Sequence, residues 1–151
     1  MAGVATSVSR EVPDLLDTNI FVHAVRGDST WERIKALRNP LLTDPRPIFS
    51  FVTHGEVLSL AAQWNWGVEK RDKLSYFLSY FKSVDIGSLE ILNAYAEIDA
   101  YMRRLPGSVK MGKNDLWIAA TTYVTGATLV TTDKDFDPLH GVFLSRVLIE
   151  A

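Results

Sequence analysis

The stretch Asp115-Leu116-Trp117-Ile118-Ala119-Ala120-Thr121-Thr122-Tyr123-Val124-Thr125-Gly126-Ala127-Thr128-Leu129-Val130-Thr131-Thr132-Asp133 decides the class of fold. Leu116, Ala119, Ala120 and Tyr123 recur at helical spacing, and Gly126 supplies the usual stop after a helix. Thr128 to Thr131 then make a short run around Leu129 and Val130, which reads as a buried strand. A helix feeding a strand so directly predicts one repeat of an α/β chain. An acid marks each end of the repeat, Asp115 where the helix begins and Asp133 after the strand.

The pattern extends outward in both directions. Val12 to Leu16, Pro47 to Val52, Ser83 to Ile86 and Arg146 to Ile149 also read as strands. Between them, Ser29 to Leu37 opens with Ser29-x-x-Glu32, a capping box. Val57, Leu60, Ala61 and Trp64 share a helical stripe, as do Leu74, Phe77, Leu78 and Phe81. Ile91, Tyr95, Ile98 and Met102 form another, with Ser88 as its N-cap. Strands separated by helices predict a mostly parallel, five-stranded sheet covered on both faces. Residues 12–150 are expected to form one domain behind a flexible tail, residues 1–11.

Composition narrows the function. The chain has 151 residues, enough for a continuous core, and its 47% hydrophobic and 23% charged content is ordinary for a globular protein. A net charge of -2 gives no general attraction to nucleic acid, so binding of that kind needs a local basic patch. The absence of cysteine excludes disulfides and thiolate zinc sites, and fits a cytoplasmic protein. Met1 to Arg10 lacks the basic start and apolar run of a signal peptide, and no apolar stretch is long enough to span a bilayer.

Four acids stand where strands end or helices begin: Asp17, Glu56, Asp115 and Asp133. In a parallel α/β fold those positions lie along one rim of the sheet, where ligands bind. Each has a structural reading: Asp17 and Asp115 as N-caps, Glu56 as the last residue of a Thr53-x-x-Glu56 capping box, Asp133 as a turn residue. Jointly they point to a site for a hard divalent cation, because gathered carboxylates repel one another and such a cation relieves the repulsion. Thr18, Asn19, His54, Asn114, Thr131 and Thr132 stand beside them as polar support.

The segments around these acids resemble the PIN-domain nucleases, and within them the small VapC-type toxins. Leu15-Leu16-Asp17-Thr18-Asn19 is similar to the opening motif, and Ser50-Phe51-Val52-Thr53-His54-Gly55-Glu56-Val57 to the second. Gly112-Lys113-Asn114-Asp115-Leu116-Trp117-Ile118-Ala119-Ala120 is similar to the third, the most specific, and Thr128-Leu129-Val130-Thr131-Thr132-Asp133-Lys134-Asp135-Phe136 to the fourth. The resemblance implies a three-layer α/β/α sandwich over residues 12–150 and a Mg2+- or Mn2+-dependent endoribonuclease. It makes Asp17, Glu56, Asp115 and Asp133 the acidic quartet, Asn19 and Thr131 supporting polar residues, and Asp135 an alternative or auxiliary fourth acid. Asp17 and Asp115 are expected as direct ligands, with Glu56 and Asp133 acting through water or at a second ion. The toxin resemblance also implies a cognate antitoxin protein as partner. A stand-alone RNA-processing nuclease and a non-catalytic RNA-binding module are the alternatives. A haloacid-dehalogenase-type phosphatase needs a second acid two positions after the first, where this chain has Asn19.

RNA contacts are expected from Lys110 and Lys113, which lead into Asp115. Arg103 and Arg104 read as a solvated helix face. Trp64 falls on an apolar stripe and reads as core, leaving Trp66 as a candidate for stacking on bases. His54 reads as a polar residue at a strand end, and His23 and His140 carry no signal. Tyr76, Phe77, Tyr80 and Phe81 crowd one helix, and this aromatic surface suggests a homodimer.

Overall fold

The protein, seen here as a computed structural model, is described over residues 7–107 and 110–150. Its centre is a five-stranded sheet in which every pairing is parallel, a stricter arrangement than the mostly parallel one expected. In chain order, β1 is Val8–Ser9, β2 Asp14–Leu16, β3 Thr43–Asp44, β4 Ile48–Ser50, β5 Lys82–Val84, β6 Thr128–Thr131 and β7 Ser145–Leu148. The main sheet runs β5-β4-β2-β6-β7, so β2 is its central strand, between β4 and β6. The helices are α1 Thr18–Arg26, α2 Ser29–Arg38, α3 Phe51–Gln63, α4 Val68–Tyr80, α5 Leu89–Arg104 and α6 Lys113–Thr125.

The three inner strands, β4, β2 and β6, are apolar on both faces. Neighbouring residues alternate between two cores: Leu15, Ile48 and Leu129 pack with α5 and α6, while Leu16, Phe49 and Val130 pack with α1 to α4. That alternation makes the three layers. Phe21, Phe49 and Phe81 meet edge to face in the second core, at centroid separations of 5.0 and 5.7 Å.

Several local readings are corrected. Helix α1 adds a stripe to those expected: Asn19, His23 and Arg26 share one polar side, and Ile20, Phe21, Val22, Ala24 and Val25 are buried on the rest. The cap of α2 is Asp28, whose side chain accepts from the Trp31 amide at 3.0 Å, rather than Ser29. Helix α3 starts at Phe51, with the Ser50 hydroxyl as its cap, so Val52 is helical and Thr53 and Glu56 form no capping box. Ser88 caps α5 and Gly126 closes α6 in a left-handed conformation, as expected.

The two tryptophans exchange roles: Trp64 is 44% exposed and Trp66 only 6%. Trp64 is the C-cap of α3, and the turn through left-handed Asn65 (φ 54°) folds Trp66 back into the core. Phe77 and Phe81 are buried and Tyr80 is partly so, leaving Tyr76 as the exposed ring of α4. The aromatic surface invoked for a dimer is thus largely interior. Val8 and Ser9, from the expected tail, pair in parallel with Thr43 and Asp44.

Candidate active site

Parallel strands all end at one rim, and the structure brings the predicted acids there on four different supports. Asp17 directly follows β2 and is the N-cap of α1. Its backbone amide still bonds to Val130 of β6, at 3.0 Å, which holds it against the neighbouring strand. One side-chain oxygen, Oδ1, accepts from the Thr18 amide at 2.8 Å, and the other, Oδ2, accepts from the Thr131 hydroxyl at 2.7 Å. The Thr131 oxygen in turn accepts from the Asp133 amide at 2.9 Å. A single buried hydroxyl therefore ties Asp17 to Asp133. Thr18 and Thr53 share a buried hydroxyl contact of 3.0 Å, which joins the start of α1 to α3.

Asp133 caps the 3-10 turn Lys134–Leu139, accepting from the Asp135 amide at 2.9 Å. That turn swings Asp135 to the same place. Asp115 is the third residue of α6, whose N-cap is Gly112, so the capping role offered for Asp115 belongs elsewhere. Glu56 sits in the second turn of α3 and accepts from the Asn114 side-chain amide at 2.9 Å.

Carboxylate oxygens of Asp115, Asp133 and Asp135 lie within 4.8 Å of one another. Asp17 and Glu56 fall outside that tight group but act on it electrostatically. Asp115 is pushed up from 3.8 to about 7, first by burial and then by the charges of Asp17, Asp133, Glu56 and Asp135 in turn. The charges of all four other acids bear on it. Asp17, 3% exposed, is pushed up to about 6 by burial; its bonds from Thr131 and Thr18 offset part of that, and Asp133 and Glu56 add to it. No ion pair neutralises any of the five among the described residues.

Hard oxygen donors, like charges and near-contact spacing form the donor set that Mg2+ or Mn2+ takes. Asp135, read as auxiliary, belongs to the tight group. Asn19 is exposed in the first turn of α1. Lys110 and Lys113 are exposed just ahead of Asp115, Lys113 as the first residue of α6. Arg103 pairs with Asp99 at 3.0 Å and Arg104 bonds to the Ala100 carbonyl, which keeps both on their own helix face. His54 is half-buried near the Phe49 and Phe51 rings, with centroids 6.3 and 6.2 Å away, and His23 bonds Asp28 at 2.7 Å. Trp64 lies eight residues beyond Glu56, ~12 Å along the helix axis, under the Arg26 guanidinium.

Comparison with known proteins gives a consistent picture. The family model described as PIN domain matches residues 15–140. No curated protein matches the chain. Among solved structures, a chain of VapBC2 from Rickettsia felis, bound to a DNA fragment from its promoter, is similar with a TM-score of 0.71 at 23% identity, covering 89% of this chain and 98% of that one. VapBC-1 from nontypeable Haemophilus influenzae gives 0.69 at 22% identity, covering 91% and 98%. A toxin-antitoxin complex from Klebsiella pneumoniae gives 0.66 at 21% identity, covering 91% and 99%. Among the described residues, no helix is long and apolar enough to cross a membrane.

Proposed function

This chain belongs to the PIN domain family, and on that footing we propose that it is a Mg2+- or Mn2+-dependent endoribonuclease acting as the toxin of a toxin-antitoxin pair in the cytoplasm. The observation that carries the proposal is the set of five acids at one sheet rim, none of them in an ion pair among the described residues. Asp115, Asp133 and Asp135 would hold the ion, with Asp17 and Glu56 completing the site. A divalent cation bound there supplies Lewis acidity toward the phosphate and a nucleophilic water at neutral pH.

The chain's own groups set the stage for hydrolysis. Thr131 and the Thr18 amide fix both oxygens of Asp17, so its orientation is settled before substrate arrives. Lys110 and Lys113 take the RNA backbone beside Asp115, giving affinity that depends on salt and is nearly blind to sequence. RNA must bring its phosphates toward a rim of negative charge, so binding without the cation is opposed by repulsion. No histidine is required, and none lies in the acidic group.

Cleavage of RNA by the purified chain should require Mg2+ or Mn2+ and stop on chelation; cleavage undiminished by chelator would exclude the reading. The partner is inferred from the toxin-antitoxin assemblies among the structural neighbours. An arginine from such a protein would satisfy several of these carboxylate oxygens at once and compete with the cation. Co-expression with the product of the adjacent gene should relieve an Asp17-dependent growth arrest. Harmless expression of an active nuclease would favour RNA processing instead.

A further inference from the structure

The acids at the rim are held by different means. Backbone amides and the buried Thr131 hydroxyl fix Asp17 and Asp133, whereas Glu56 rests on one side-chain bond from Asn114. Glu56 has three rotatable bonds, is half-buried and faces like charge, which favours its swinging out to solvent. The bond that opposes this comes from the residue directly before Asp115, across the packing of α3 against α6. The donor is also neutral. An amide gives one N–H and leaves the carboxylate charge and its other oxygen, Oε1, available, whereas a lysine would cancel the charge and compete with a bound cation.

We propose that Asn114 is a positioning residue, whose side-chain amide aims Glu56 at Asp115 and thereby sets how tightly the acidic cluster holds a divalent cation. This rests on the nuclease reading only in that the cluster takes a cation. Asn114 is exposed in the first turn of its helix, so its replacement by alanine leaves the core untouched.

The test is calorimetric titration of Mn2+ into the full chain as wild type, Asn114→Ala, Glu56→Gln and the double variant. Asn114→Ala should weaken Mn2+ binding by roughly 10-fold, the scale of an outer-shell partner, with the metal-free melting temperature unchanged. In the Glu56→Gln background the same change should have no further effect, because the carboxylate charge that Asn114 positions is gone. Wild-type affinity in Asn114→Ala, or an equal loss in both backgrounds, overturns the proposal and leaves the nuclease reading standing. Absence of Mn2+ binding by the wild type overturns both.

Discussion

Asp14 and Asp17 stand three residues apart on one strand segment, both almost fully buried, at 1% and 3% exposure. Asp14, at the start of β2, is gripped by Arg38 through two bonds of 2.9 and 2.8 Å, with Arg10 a further 3.8 Å away. Asp17, just past the end of the same strand, has only neutral donors and faces other acids. Burying a carboxylate is costly unless a cation or strong donors compensate it. At one end of the strand the fold supplies that compensation itself, and the acid serves to anchor α2 to the sheet. At the other the compensation is missing, and the proposed external cation would supply it.

That contrast can be broken by substitution. Asp115→Asn, at the centre of the acidic rim, should reduce RNA cleavage by ~100-fold or more, beyond the loss of an outer-shell partner. Gel-based cleavage at matched purity measures it, and an unimpaired variant would remove Asp115 from the site. Asp14→Asn should instead cost about 3 kcal/mol of stability, because Arg38 loses its buried partner. Urea unfolding reads that loss, and a change near zero would mean that solvent already screens the pair.

A pH series sharpens the comparison. In the metal-free protein Asp17 is raised from 3.8 to about 6, so its charge destabilises the fold fully above that value and not at all well below 3.8. Stability should therefore rise as pH falls from 7.5 toward 4.5, with Asp17 contributing about 2–3 kcal/mol of the change. Asp17→Asn should be the more stable protein at pH 7.5, and the two should converge in acid. Parallel melting curves across that range would contradict the assignment. The smallest effect expected is at Lys110 and Lys113: replacing both with Ala should lower the salt slope of RNA binding by about 1–2. An unchanged slope would place the RNA elsewhere.

Much of this architecture was legible in the chain because strand and helix signals agreed. The five strands of the sheet fall within two residues of their expected places, and the rim acids follow from strands that all point one way. Legibility failed where side chains compete for one cap and where a helix is short. Ser50 and Asp28 took the caps that Thr53 and Ser29 offered, and α1 carries its stripe over only nine residues. Trp64 and Trp66 changed places because a stripe cannot reveal where its helix stops. At the site, spacing identified the acids but not their grouping. Whether Asp17 or Asp135 joins the tight cluster depends on the Asp133 cap and the Thr131 hydroxyl, contacts that form only in the folded chain.

The central claim is that the uncompensated acid, and not the compensated one, belongs to a cation-dependent nuclease. Its most direct test is the Mn2+-dependent RNA cleavage rate, per folded molecule, of wild type, Asp17→Asn and Asp14→Asn side by side. The account predicts cleavage that appears with Mn2+, survives in Asp14→Asn and vanishes in Asp17→Asn. Cleavage retained by Asp17→Asn, or present in all three without the cation, would contradict it.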